Sequence, residues 1–419
     1  MHQLPAAPAT VDAAWGPTTA AERLALVDAL RGFALLGILL VNVTGFGRPF
    51  QTYRLPLDST QPWYDVAAAA LVAILAEGKF YALFSLLFGL GLALQLERAQ
   101  ARGVAWRMLY VRRLLVLFGS GLVHGVFIWA GDILMLYAVL GFVLLLFADV
   151  APRALMAWVV AIGVLFIVAI TAGLVLLHAL ETLDPEAVPR YDSSAAMVEA
   201  EIAQAYAAYG AGSYAEITAQ RIEDLRRFLD DAPLQSPSVL VYFLLGLYLG
   251  KRGVLAQPHA HAALLRRWAR IGAGVGLPLA VLYAWTRFNP DPAVPGWLWW
   301  SVMAFYGGGL GLSLAYAGGL SLLWLRPGTQ RVLQPLAAVG RLALSNYLLQ
   351  SIVGTWIFYG YGLGLFGQVP PARSVSLALG IYLLQIPLSR WWLGRFRFGP
   401  AEWLWRSLAY GRRQPWRRG

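Results

Sequence analysis

Apolar runs longer than the roughly 18 residues that mark a transmembrane helix recur along this chain of 419 residues. Inside lipid every backbone N–H and C=O must find a partner in the chain itself, so such runs fold as helices rather than as open strands. Composition agrees: 59% of residues are hydrophobic and 13% charged, whereas soluble domains are usually about 25% charged. The expected fold class is all-α, a polytopic membrane helical bundle of about ten spans with a small external helical loop. The chain has no cysteine, which excludes a disulfide framework, a thiolate metal site and a cysteine nucleophile. Its net charge of +11 is almost wholly arginine, since Lys79 and Lys251 are the only lysines. In a membrane protein that excess sets orientation, and no nucleic-acid partner is expected.

The charge pattern divides the chain. Residues 1–22 are polar and rich in Pro, Ala and Thr, and read as a disordered or surface arm. Residues 23–180 hold five predicted membrane helices, 181–235 form an acidic loop with two amphipathic helices, and 236–395 hold five more. A basic tail occupies 396–419. Arginines gather at 97–113, 251–270 and 326–341. The positive-inside rule puts those loops and both termini in the cytoplasm, with 181–235 outside.

An ionisable group in hydrocarbon is costly, so one kept there is a functional-site hypothesis by default. The stretch Val111–Gly141 carries two: His124 and Asp132, on either side of a break at Gly131. A hairpin there brings them together, and a histidine oriented by a carboxylate suits general-base chemistry. The alternative is a histidine hydrogen-bonded to a neighbouring helix for packing alone. Asn42 lies about three turns beyond Arg31 on the first helix, near the same face, and joins His124 and Asp132 as a catalytic candidate. Asp28 and Arg31, three apart, share a face. Arg31, Arg112, Arg113 and Arg341 fall at cytoplasmic helix ends. There they either hold a phosphorylated ligand in bidentate fashion or simply obey topology. Lys79 follows a break at Glu77-Gly78 and either snorkels to the interface or is buried against Glu77. A helix expected to start near Pro335 carries Arg341, Ser345 and Asn346 within one or two turns of one another. Asp28, Arg31, Lys79, Arg112, Arg113, Arg341, Ser345 and Asn346 are thus the substrate-binding candidates. No metal is expected, because H-E-x-x-H and clustered histidines are absent; so are a phosphate-binding Gly loop after a strand and a nucleophile elbow.

Four blocks carry a family likeness: R-L-A-L-V-D-A-L-R-G-F-A-L-L-G-I-L-L-V-N-V at 23–43, G-K-F-Y-A-L-F-S-L-L-F-G-L-G at 78–91, R-R-L…G-L-V-H-G…G-D-I-L-M-L-Y-A at 112–138, and G-P-A-E-W-L-W-R at 399–406. In this order they resemble the YeiB family, which carries the domain of unknown function DUF418. That family is grouped with transmembrane acyltransferases that include heparan-glucosaminide acetyltransferase and the acyltransferase-3 proteins. The resemblance implies a location in the bacterial cytoplasmic (inner) membrane and acyl-CoA or acetyl-CoA as donor. It also implies a small-molecule or glycan acceptor, such as a sugar, on the far side. Asp28, Arg31 and Gly32 match the wider group's D-x-x-R-G. Acyltransferase-3 proteins place a histidine eleven residues after that arginine, where this chain has Asn42. The lysosomal enzyme supplies its histidine in the first external connection, but residues 43–70 contain none. His124 and His178 are then the intramembrane histidines left, and His124 is the candidate. Besides the lipid bilayer, a second copy of the chain in a homo-oligomer stays open as a partner. A transporter using the same buried polar groups as a solute or proton path is the competing reading. Single cysteines introduced near Arg102 and near Ser213 are expected to react with impermeant thiol reagents from opposite sides of the membrane. Labelling of the Arg102 site from outside would overturn the orientation.

Overall fold

In the computed structural model, which describes residues 24–103, 106–183, 191–290 and 296–418, every long element is an α-helix. The expected arm at 1–22 lies outside the described residues. The order is α1 (Ala25–Gly47), a short 3-10 turn (Phe50–Arg54), α2 (Trp63–Leu75), α3 (Lys79–Arg102), α4 (Arg107–Phe127), α5 (Leu134–Leu145) and α6 (Pro152–Leu183). Then follow α7 (Tyr191–Ala211), α8 (Tyr214–Lys251), α9 (Ala262–Phe288), α10 (Trp297–Trp324), α11 (Pro327–Arg341), α12 (Ala343–Phe358), α13 (Pro371–Arg395) and α14 (Pro400–Tyr410). Among the described residues the one β contact is an isolated bridge between Phe396 and Arg417.

Seven stretches are long and apolar enough to cross a bilayer, and the bent pair α11–α12 would be an eighth. Glycine-rich α10 and the 12-residue α5 are not among them. Both are needed to reach the expected ten spans. At 1.5 Å per residue α5 reaches only about 18 Å, short of a hydrocarbon core of about 30 Å.

The chain breaks where local chemistry favours it. Gly78 takes a left-handed φ of +80° between α2 and α3, a conformation that glycine adopts without strain. Residues 128–133 separate α4 from α5, at the break expected near Gly131. Two expected boundaries move. The line drawn at 235/236 falls inside α8, which runs unbroken through Pro233 and Pro237. Beside the prolines, the hydroxyls of Ser236 and Ser238 donate to the carbonyls of Ala232 and Gln235. The helix expected to start near Pro335 is instead two helices meeting at 77°, with Leu342 between them.

Small residues let the central helices touch backbone to backbone. A Cβ on Gly32 would lie 2.0 Å from the Leu336 carbonyl oxygen, and one on Gly340 would lie 1.8 Å from that of Asp28. The α1–α11 crossing therefore tolerates no side chain, and it brings Arg31 and Arg341, one residue from each glycine, to the same end of the bundle. Gly32→Ala is expected to cost about 1–3 kcal/mol through overpacking, read as a lower melting temperature of the purified protein. Gly119→Ala, whose Cβ would meet nothing within 4 Å, should leave melting unchanged.

Candidate functional site

One large cavity of about 1740 Å³ follows the axis of the bundle. Leu24, Asp28, Arg31, Leu35, Ile38 and Asn42 line it at helical spacing along α1, a rise of about 27 Å from first to last. Its ends differ in charge. At one end Arg31, Arg113 and Arg341 are joined by Arg98, Arg102 and Arg406, against Asp28, Glu97 and Glu402. At the other, α7 and α8 supply Glu199, Glu201, Asp224, Asp230 and Asp231, with Arg227 the basic residue among them. Between the ends the wall is mostly apolar, with Leu35, Phe84, Leu87 and Leu117.

The arginine end is cross-braced. Arg31 Nη1 donates to Asp28 Oδ1 at 3.0 Å. Arg113 donates to Gln95 and stacks its guanidinium 4.3 Å from the Trp405 ring. Trp405 Nε1 returns a bond to the Arg113 carbonyl at 3.0 Å. The break at Leu342 leaves the first N–H groups of α12 without helical partners. Glu402 takes them: its Oε1 accepts from Leu344 N at 2.7 Å and Ser345 N at 3.1 Å, and its Oε2 accepts from the Ser345 hydroxyl. A carboxylate at a helix N-terminus is also favoured by the macrodipole. Burial pushes the Glu402 carboxyl above its ordinary value, and these donors pull the other way.

His124 and Asp132 meet as the hairpin predicts. His124 Nδ1 lies 2.8 Å from Asp132 Oδ2, and both side chains are fully buried. Asp132 Oδ1 accepts from Met135 N at 2.9 Å, capping α5. With Nδ1–H donating to the carboxylate, Nε2 of a neutral ring carries the free lone pair, and it is buried with no hydrogen-bond partner among the described residues. The pair does not line the cavity; it stands behind Trp129, Gly131 and Tyr347, which do. The Tyr347 ring is centred 5.0 Å from the imidazole, and that of Trp129 6.3 Å. Trp129 Nε1 in turn donates to the Gly45 carbonyl at 3.3 Å, less than a turn beyond Asn42 on α1. Asn42 itself lines the cavity, on the other side of that wall from the pair.

The remaining candidates separate. Arg112 is exposed and faces away from the cavity. Lys79 is fully buried, which corrects the snorkelling alternative: its Nζ donates to the Ala73 carbonyl at 2.7 Å and sits 5.5 Å from the Tyr283 ring. Glu77 is close by, bonded to Tyr283 and paired with Arg287. Ser345 is committed to Glu402, and Asn346 ties the Val339 carbonyl to Ser389 of α13. Arg98, Arg102, Glu402, Trp405 and Arg406 were not among the candidates. Their signal is the four-residue spacing of Arg98 with Arg102 and of Glu402 with Arg406, which puts each pair on one helix face. Among the described residues no group of three His, Asp or Glu is placed to hold a metal ion.

The family described as "Protein of unknown function (DUF418)" matches residues 249–412. The chain is 36% identical to the uncharacterized protein YxaH of Bacillus subtilis (strain 168), across 95% of this chain and 97% of that one. It is 29% identical to the uncharacterized protein YeiB of Escherichia coli (strain K12), across 92% and 96%. An uncharacterized 39.9 kDa protein from the amylase 3' region of Bacillus acidopullulyticus is 30% identical across 95% and 97%. No solved structure matches. The family match contains the α11–α12 break and Glu402 but not His124, whereas the three relatives align over nearly the whole chain. Glu402→Ala strands two backbone N–H groups and a hydroxyl and is expected to destabilise the protein by about 1–3 kcal/mol. Glu402→Gln keeps an acceptor oxygen and should cost less in the same thermal melt.

Proposed function

The chain belongs to the family of YxaH and YeiB, and from the cavity it builds we propose that it is a membrane acyltransferase. The carrying observation is the cavity itself, which has arginines at one end, carboxylates at the other and a buried His–Asp pair behind its wall. The donor is an acyl-CoA-type thioester. Its phosphates bind at the arginine end, where Arg31, Arg113 and Arg341 offer planar, multiply donating cations. By the positive-inside argument that end faces the cytoplasm of a bacterial inner membrane. The apolar middle accepts the uncharged arm that carries the thioester. Arg31 to Asn42 spans about 16 Å of helix, so the thioester is delivered near the depth of Asn42.

The acceptor, a sugar or other hydroxyl- or amine-bearing molecule, arrives from the carboxylate end. Its oxygen or nitrogen attacks the thioester carbonyl carbon, and its proton passes to His124 Nε2. The tetrahedral intermediate then expels the thiolate, which takes that proton as the new acyl bond is left behind. Asp132 fixes the Nδ1–H tautomer, so that Nε2 is the basic atom. Tyr347 separates the imidazole from the cavity and swings aside to admit the acceptor. Asn42, on the cavity side, is positioned to hydrogen-bond the reacting carbonyl.

Because the cavity runs the length of α1, a transport path is the second reading. Binding and turnover separate the two. Arg31→Ala and Arg341→Ala should each weaken binding of coenzyme A by about tenfold or more, measured by calorimetry on purified protein. His124→Ala should keep that binding and lose transfer of a labelled acyl group by roughly 10²–10⁴-fold. Unchanged transfer in His124→Ala would return the pair to a packing role. Movement of a solute through proteoliposomes with no acyl donor bound or consumed would favour transport.

A further inference from the structure

His124 sits in the last turn of α4, where carbonyls have no helical partners. Here α8 takes them. Arg221 Nη1 donates to the Val126 carbonyl at 3.2 Å, and the Tyr214 hydroxyl donates to that of Phe127 at 2.8 Å. Leu225 packs on the residue between these and His124: a Cβ added to Gly125 would lie 3.1 Å from its side chain. Positions 214, 221 and 225 are spaced by seven and four, so one face of α8 grips the three residues that follow His124.

Arg221 is an expensive way to make such a contact. It is fully buried, and its Nε and Nη2 have no hydrogen-bond partner among the described residues. Its charge is met by the faces of Tyr214, Tyr359 and Tyr361, at 5.0, 5.7 and 5.8 Å, and by the negative end of the α4 dipole. An apolar side chain of similar length would fill the space without the cost of burying an incompletely paired charge. What it could not do is hold the Val126 carbonyl.

On its other side, among the described residues, the hydrogen bond that fixes the imidazole is the one to Asp132. A fixed base needs both its ring partner and its backbone held, since small misplacements cost large factors in rate. We propose that Arg221 is a positioning residue for His124, clamping the end of α4 so that the imidazole keeps its bond to Asp132. This rests on the acyltransferase reading for its purpose, but not for its test. One turn beyond Arg221, Asp224 lines the carboxylate end of the cavity and accepts from the Tyr209 hydroxyl at 2.6 Å. The clamp is therefore built on the same helix that forms the acceptor's end of the cavity.

The test treats the full-length protein in detergent with diethyl pyrocarbonate, which modifies accessible histidine and lysine, and reads each site by peptide mass spectrometry. In the wild type His124 and Lys79, both fully buried, are protected, and exposed His259 reacts. Arg221→Met should raise modification of His124 by about tenfold, the equivalent of one lost charge-assisted hydrogen bond, while Lys79 stays protected. Arg221→Lys, which keeps the charge and a donor, should fall between. Where turnover is measured, kcat should drop in the same order with KM unchanged. If Arg221→Met does not fold, Tyr214→Phe removes the neighbouring bond and should give a smaller rise at the same histidine. Protection of His124 persisting in the folded variants, or Lys79 becoming reactive together with it, overturns the proposal. Failure to bind or consume an acyl donor would instead overturn the acyltransferase reading and leave the labelling result standing.

Discussion

Everything in this bundle depends on satisfying helix ends that lie within it. An α-helix that stops inside a low-dielectric interior leaves carbonyls or N–H groups that water cannot reach. Three such ends occur close to the cavity, and each is closed by a side chain from elsewhere. Asp132 caps the start of α5, Glu402 closes the start of α12, and Arg221 with Tyr214 closes the end of α4. Asp132, Glu402 and Arg221 are buried beside the backbone they serve, whereas Tyr214 is half-exposed. Of these, Glu402 lines the cavity and Asp132 stands behind its wall.

The charge segregation follows from the same architecture. Helix ends collect arginines on one side of the membrane by the rules of insertion, and the crossing of α1 with α11 at Gly32 and Gly340 then gathers Arg31 and Arg341 around one opening. The acids come from a different source. They belong to the α7–α8 hairpin, which Arg227 of α8 ties together through its ion pair with Glu201 of α7. Two unrelated pressures, topology and solubility, thus give the cavity two unlike ends.

Much of this was legible in the residues. The helical membrane class, the breaks at Gly78 and near Gly131, and the meeting of His124 with Asp132 follow from apolar length and from one ionisable pair flanking a glycine. The α11–α12 bend was not legible, because nothing local marks Leu342 as a stop. The bend is stabilised by Glu402, 60 positions later, and sequence periodicity carries no such distant partner. The boundary at 235/236 moved in the opposite sense, since α8 runs on through Pro233 and Pro237 where a proline normally ends a helix. Arg112 and Arg113 are adjacent, yet only Arg113 faces the cavity. Successive helical positions differ by about 100°, and choosing between them required the neighbours. Lys79 resembled an interfacial lysine because its acceptor is a backbone carbonyl, which no side-chain pattern reveals.

The unlike ends of the cavity have an electrical consequence. Moving one elementary charge across a membrane at 100 mV involves about 2.3 kcal/mol of work. A ligand whose anionic part stays at the arginine end, and which passes on only an uncharged group, does none of that work. For such a ligand the membrane voltage neither drives nor opposes the passage of the group. A cavity with arginines at both ends would allow an anion to cross whole and couple it to the voltage. The carboxylates of α7 and α8 at the other end instead repel an anion, whichever way it would cross.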